Sequence, residues 1–293
     1  MSIIVFYIAY GLIWILTLPP LPVLYYISDF LYFVIFHIIK YRKKVVYSNL
    51  QNAFPGKNVD EIDKIARKFY KHFCDVIIET LKELHMSEAE MIKRVRYVNP
   101  EVIDELFRKR KSIIAVVGHY CNWEWLTGFS IQTPYHGASL YKSLNNKQFD
   151  KVFSKMRSKF GTEMILMKQA LRFILKNKRE ERLTLTCYIS DQSPVREELD
   201  YFTRFMNQDT PVFLGIEKMA VKFNLPVVYF KMKKIRRGYY EVEILTVTEK
   251  PSETETNEIT EKHVRLLEET ILEEPAYWLW SHRRWKFKPS DKS

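Results

Sequence analysis

Ser112-Ile-Ile-Ala-Val-Val-Gly-His-Tyr-Cys-Asn-Trp-Glu-Trp125 reads as a buried strand, a turn at Gly118–His119 and the start of a helix. Strand-end turns of this kind lie at the carboxyl edge of α/β sheets, where reactive side chains are exposed. Glu124 follows His119 by five residues. In one continuous helix that step rotates about 140° and the two side chains diverge. They can meet only if His119 occupies the turn and Glu124 the first helical turn. A histidine titrates near neutrality and can take a proton from a hydroxyl, while a carboxylate on its other nitrogen fixes the tautomer. Spacing alone leaves two readings open: such a dyad, or a strand-end histidine salt-bridged to a helical glutamate.

On either side of this stretch, short apolar runs alternate with helical patterns. Ser112–Val117, Leu183–Ile189, Pro226–Phe230 and Tyr240–Val247 read as strands. Glu101–Lys109, Gln148–Phe160, Lys168–Lys178, Thr210–Phe223 and Asn257–Leu272 read as helices. Gly56–Leu84 carries its apolar residues at i, i+3, i+4 and i+7 and is expected to be one long amphipathic helix. The alternation predicts an α/β fold, a mixed sheet flanked by helices. No linker divides residues 45–293, which are expected to be one domain.

Residues 1–44 have a different texture. Ile3–Leu18 is apolar and uncharged, and a second apolar run reaches Ile39 after Pro19, Pro20 and Pro22, with Asp29 inside it. Neither half alone has the roughly 20 residues of a bilayer-spanning helix. A signal peptide is not expected, since no basic segment precedes the run and no small-residue cleavage site closes it. The first run is expected to be a membrane-inserted helix and the second an interfacial or partly buried one; two core helices are the alternative. Lys40, Arg42, Lys43 and Lys44 follow directly, the pattern of a segment held to the cytoplasmic face of a membrane.

The net charge of +11 calls for an anionic partner. No nucleic-acid reading motif is present, so lipid headgroups or an acidic protein are the expected partners. Arg283, Arg284, Lys286 and Lys288 form a second basic group, read as headgroup contacts or as a solvated tail. Only 8 glycines occur, which disfavours glycine-rich phosphate loops. Cys74, Cys121 and Cys187 are too widely spaced for a disulfide framework or a zinc site, and a reducing, cytoplasmic setting fits them best. No metal or nucleotide cofactor is expected. His37, His72, His85, His136 and His263 have no partner spacing and read as structural or exposed, and His282 is left undecided.

Gly118-His-Tyr-Cys-Asn-Trp-Glu124 resembles the His-x4-Asp/Glu motif of glycerolipid acyltransferases, in the form seen in the bacterial lipid A late acyltransferases. Four more blocks resemble that family in order: Asn49-Leu50-x-x-Ala53-Phe54-Pro55; Leu144-Asn145 with Arg157 and Gly161; Asp191-Gln192 with Phe205 and Thr210; and Trp280-Ser-His-Arg-Arg-Trp285. Cys121 departs from the family, which commonly has glycine there. A thiol two residues from a histidine leaves a nucleophilic role conceivable.

The resemblance implies an O-acyltransferase domain over residues 45–293 behind the membrane anchor 1–44, with a glycerolipid acyltransferase-like fold. It implies His119 as general base, Glu124 as its orienting partner, and Arg157, Asp191, Gln192 and Asn122 near the substrates. The donor would be a thioester on acyl carrier protein, and the acceptor a hydroxyl of a lipid A precursor. The site would lie at the cytoplasmic face of a bacterial inner membrane. Another lipid acceptor and a catalytically silent lipid-binding protein are the rival readings; the intact His119, Glu124 and Asp191 argue against the second.

Overall fold

Strands covered on both faces need no alternation of polar and apolar residues, and Ile113–Val117 is buried at all five positions. In the computed structural model, which describes residues 3–143 and 146–291, it is the second of nine strands. In chain order these are β1 (Val95–Tyr97), β2 (Ile113–Val117), β3 (His136–Tyr141), β4 (Glu163–Leu166), β5 (Thr184–Ile189), β6 (Tyr201–Phe205), β7 (Gln208–Val212), β8 (Val227–Arg236) and β9 (Tyr239–Thr248). Seven form one sheet in the order β1-β9-β8-β2-β5-β3-β4, while β6 and β7 make a separate hairpin. Within the large sheet only β8 and β9 run antiparallel. The fold is therefore the expected mixed α/β sheet flanked by helices.

One register positions the site. β2 and β5 are parallel neighbours with Val117 opposite Ile189, and Ser190 N donates to Val117 O at 3.3 Å. Two residues further along each strand, His119 and Asp191 leave the sheet side by side.

Several elements differ from expectation. Thr210–Phe223 is not one helix: Gln208–Val212 is β7, and the helix begins at Gly215. Met206 and Asn207 both have positive φ, 48° and 61°, the conformation that closes a two-residue hairpin. β1, β3, β4 and the hairpin were not expected, because they are short or carry no apolar run. Leu144-Asn145, part of one family-like block, lies outside the described residues.

The long amphipathic helix is Val59–Lys82, closed at its start by a capping box between Asn58 and Glu61. Its inward side carries Asp75, Glu79 and Lys82, all buried. These hold the N-terminal segment through polar bonds. Asp75 accepts from Ser28 Oγ and Glu79 from Tyr25 Oη, each at 2.8 Å. Lys82 Nζ donates to the carbonyls of Thr17, Leu18 and Pro19 at 2.9–3.1 Å, satisfying groups that the end of helix Ile3–Leu16 leaves open. Leu21–Phe33 is α-helical and continues as a π-helical turn, Val34–Ile39. Together they give the one described helix long and apolar enough to cross a membrane, 19 residues, although the first run was the one expected to insert. Its outer side exposes Tyr26, Phe30, Phe33, Ile38 and Ile39.

Candidate active site

His119 is placed by β2, and its ring is held on both sides. Nδ1 donates to Asp191 Oδ1 at 2.6 Å, and the His119 backbone N–H donates to Asp191 Oδ2 at 2.8 Å. Trp278 Nε1 gives Oδ2 a second donor at 2.7 Å. Burial works against ionising Asp191, but the adjoining His119 imidazole and these donors outweigh it and hold its carboxyl down to about 2. With the proton on Nδ1, Nε2 is the basic nitrogen, and Gln192 Nε2 donates to it at 3.2 Å. That nitrogen faces a cleft of about 430 Å³, bordered by His119, Glu124, Arg157 and Gln192 on its polar side and by Leu140, Met164 and Phe213 on its apolar side.

Glu124 sits, as expected, in the first turn of a helix, here a 3-10 helix over Trp123–Ile131. The expectation that it orients His119 is corrected. Both its carboxylate oxygens engage Arg157, from Nε at 2.7 Å and from Nη2 at 2.6 Å, while Asp191 takes Nδ1. The physical reason is competition. A guanidinium offers a planar fork that matches both oxygens, whereas the imidazole is already satisfied from the neighbouring strand. Arg157 ends the helix Lys147–Arg157.

Asn122 does not line the cleft, which corrects its placement near substrates. It is fully buried, with Nδ2 donating to Glu79 at 2.7 Å and Oδ1 accepting from Trp125 N at 3.3 Å. Glu79 also accepts from Tyr240 Oη at 2.7 Å. Asn122 thus pins the loop that carries His119 and Glu124 onto the long helix. Asp191 too is turned inward and reaches the cleft only through His119.

Cys121 is fully buried, with φ at 51°. This left-handed geometry is one glycine adopts without strain. Burial pushes its thiol far above the ordinary cysteine range, which removes the thiolate that nucleophilic attack requires.

The C-terminal block closes the back of the site. Asn49 Nδ2 donates to the carbonyls of Trp280 and His282 at 2.8 and 2.9 Å, and Trp285 Nε1 donates to Thr210 Oγ1 at 2.7 Å. Phe205, Trp278, Trp280 and Trp285 pack ring against ring between them. The reading of Arg284 as part of a basic tail is corrected, since it is 2% exposed. His282 is resolved as well: its Nε2 accepts from Ser193 N at 3.3 Å. Trp278 and Glu79 were not anticipated. Trp278 lies two residues before the Trp280–Trp285 block, the one sequence signal that could have flagged it.

Residues 1–287 match the sequence model of a family described as bacterial lipid A biosynthesis acyltransferase. Over 281 residues the chain is 21% identical to the lipid A biosynthesis lauroyltransferase of Escherichia coli (strain K12), which covers 95% of this chain and 90% of that protein. Over 288 residues it is 20% identical to the lipid A biosynthesis palmitoleoyltransferase of the same strain, covering 97% and 91%. The lipid A biosynthesis acyltransferase of Shigella flexneri matches to the same extent.

Proposed function

This chain belongs to the bacterial lipid A biosynthesis acyltransferases, and from that membership we propose that it moves a fatty acyl group from acyl carrier protein to a hydroxyl of a lipid A precursor. The observation that carries the reading is His119 at the end of β2, with Nδ1 fixed by Asp191 and Nε2 open to the cleft.

The acceptor hydroxyl displaces Gln192 from Nε2 and gives its proton to the imidazole as its oxygen attacks the thioester carbonyl. Asp191 stabilises the imidazolium. Arg157, with two of its five N–H groups on Glu124, turns others toward the oxyanion of the tetrahedral intermediate. Collapse breaks the C–S bond, and the departing thiolate takes the proton from Nε2. Gln192 and Arg157 touch substrate, while Asp191, Glu124 and Asn122 position the groups that do.

Residues 1–44 act as the anchor and 45–293 as the acyltransferase domain, at the cytoplasmic face of the inner membrane. The bare outer side of Leu21–Ile39 and the basic residues Lys40–Lys44 support this, since burying that side in lipid recovers roughly 25 cal/mol per Å². The acidic carrier is suited to a chain of net charge +11. The test is incubation of purified protein with lauroyl-acyl carrier protein and a lipid A precursor, followed by lipid mass spectrometry. The precursor should gain one acyl chain. An unchanged lipid A precursor alongside an acylated lysophospholipid would move the acceptor to another class.

A further inference from the structure

Behind Asp191 lies a second, much smaller cavity, about 10 Å³, that the chemistry above does not use. Ser190, Asp191, His263 and Arg284 line it together with Phe205 and Leu267. Arg284 enters from the C-terminal block. Its Nη2 donates to Pro211 O at 2.6 Å, while Nε and Nη1 have no hydrogen-bond partner among the described residues, nor has His263 Nε2. Burial lowers the guanidinium to about 10, against the pull of Asp191, and so leaves it cationic at neutral pH. A buried cation is strongly unfavourable unless an opposite charge answers it. The anion facing it across this cavity is Asp191, whose side chain is 2% exposed. The space is about one water molecule across, and both charged side chains line it.

A general base must be neutral before it acts, and a buried carboxylate bonded to an imidazole favours the protonated ring. The other ionisable groups around the pair do not offset that charge. His263, from the helix Glu258–Glu273, is pushed down by burial to about 4 and is neutral. His282, from the C-terminal block, is likewise down to about 4. Tyr229, from β8, is pushed up by burial and is neutral. Glu124 is engaged by Arg157. Gln192, Trp123 and Trp278 carry no charge.

We infer that Arg284 is a positioning residue for the reaction: it neutralises Asp191 from behind, so that the buried pair balances while His119 is uncharged and able to accept the acceptor's proton. The inference rests on the proposed role of His119 and Asp191. It also gives a reason for a charged residue at a position that is closed to solvent and to both substrates.

The test is the pH dependence of kcat/KM for purified full-length protein with lauroyl-acyl carrier protein and a lipid A precursor. In Arg284→Gln the acid limb should move to higher pH by about one unit, the scale of a lost neighbouring charge. Arg284→Lys, which keeps the charge, should restore the limb to the wild-type position. An Arg284→Gln limb that coincides with wild type overturns the inference. Should Arg284→Gln fail to fold, the double variant Asp191→Asn/Arg284→Gln decides. It buries neither charge and should recover a cooperative thermal melt, while a double variant that also fails to fold overturns the inference. His119→Ala separates the two levels. Normal turnover in that variant removes the base assignment itself; no turnover, with an unmoved Arg284→Gln limb, removes only the role of Arg284.

Discussion

Arg157 holds Glu124 by both carboxylate oxygens, at 2.7 and 2.6 Å, so the Glu124 carboxylate is bonded to a guanidinium rather than to the His119 imidazole. The two residues should behave as one unit. Glu124→Gln and Arg157→Gln should each lower kcat, and the double variant should be no slower than Arg157→Gln alone. A double-mutant cycle on kcat/KM should return a coupling of roughly 1–3 kcal/mol. Additive losses would show that the pair is not coupled.

Asp191 should matter nearly as much as His119. His119→Ala is expected to abolish transfer. Asp191→Asn should cut kcat by about three to four orders of magnitude with little change in KM, since an amide neither fixes the tautomer with a negative charge nor stabilises the imidazolium. Steady-state kinetics on folded variants, checked by circular dichroism, decides. An Asp191→Asn enzyme within tenfold of wild type contradicts the arrangement.

Transfer is expected to be direct, with no acyl-enzyme on Cys121. The thiol is fully buried and held protonated by its surroundings. Intact-protein mass spectrometry after mixing with donor alone should show no adduct, and Cys121→Gly should keep most activity. An adduct at Cys121 formed as fast as turnover would replace the one-step mechanism.

The place of His119 at a strand end was legible because a buried strand followed by Gly-His needs only local information, whereas its role as base came from the resemblance. Asp191 was legible as a strand-end residue, but its contact with His119 was not. That contact depends on β2 and β5 being neighbours in register, and the two strands lie far apart in the chain. The spacing of His119 and Glu124 gave the right turn and helix and the wrong partner, because it carries no information about a better-shaped competitor at Arg157. Arg284 was misread for a related reason: a run of basic residues looks like a solvated tail until the chain folds back over it. The hairpin of β6 and β7 escaped notice because its turn is Met206-Asn207. Methionine is not a residue that advertises positive φ.

Acid should destabilise the protein before it protonates many carboxylates. His263 and His282, pushed down by burial to about 4 from an ordinary 6.5, stay neutral in the folded state. The unfolded chain binds protons at both from about pH 6.5, so stability falls as pH drops from there to about 4. His263 alone should contribute on the order of 2 kcal/mol of loss by pH 5. Urea unfolding at pH 7 and pH 5 tests this. His263→Gln should show a clearly smaller difference between the two, and an equal difference would remove His263 as the cause.

Two truncations should separate anchoring from folding. Removing residues 1–16 spares the carbonyls that Lys82 holds and the Leu21–Ile39 helix. That protein should melt within a few degrees of the intact chain and still sediment with membranes after a salt wash. Removing residues 1–39 takes the Ser28 and Tyr25 hydroxyls from Asp75 and Glu79 and removes all three carbonyls that buried Lys82 holds. It should cost roughly 3–5 kcal/mol. If the shorter truncation is released from membranes by salt, Leu21–Ile39 is not sufficient as the anchor.

Trp278 bonds Asp191, and Tyr120 pairs with Trp278 across an isolated bridge. The same segment takes the Asn49 side chain on its carbonyls and sinks Arg284 behind the site. All of this is supplied by residues synthesised well after β9 has completed the sheet. A nascent chain that has passed β9 therefore already has Asp191 beside His119 but still lacks Trp278 and Arg284 behind Asp191. Chains cut short after β9 would lack Trp278 and Arg284 behind Asp191 and should not turn over.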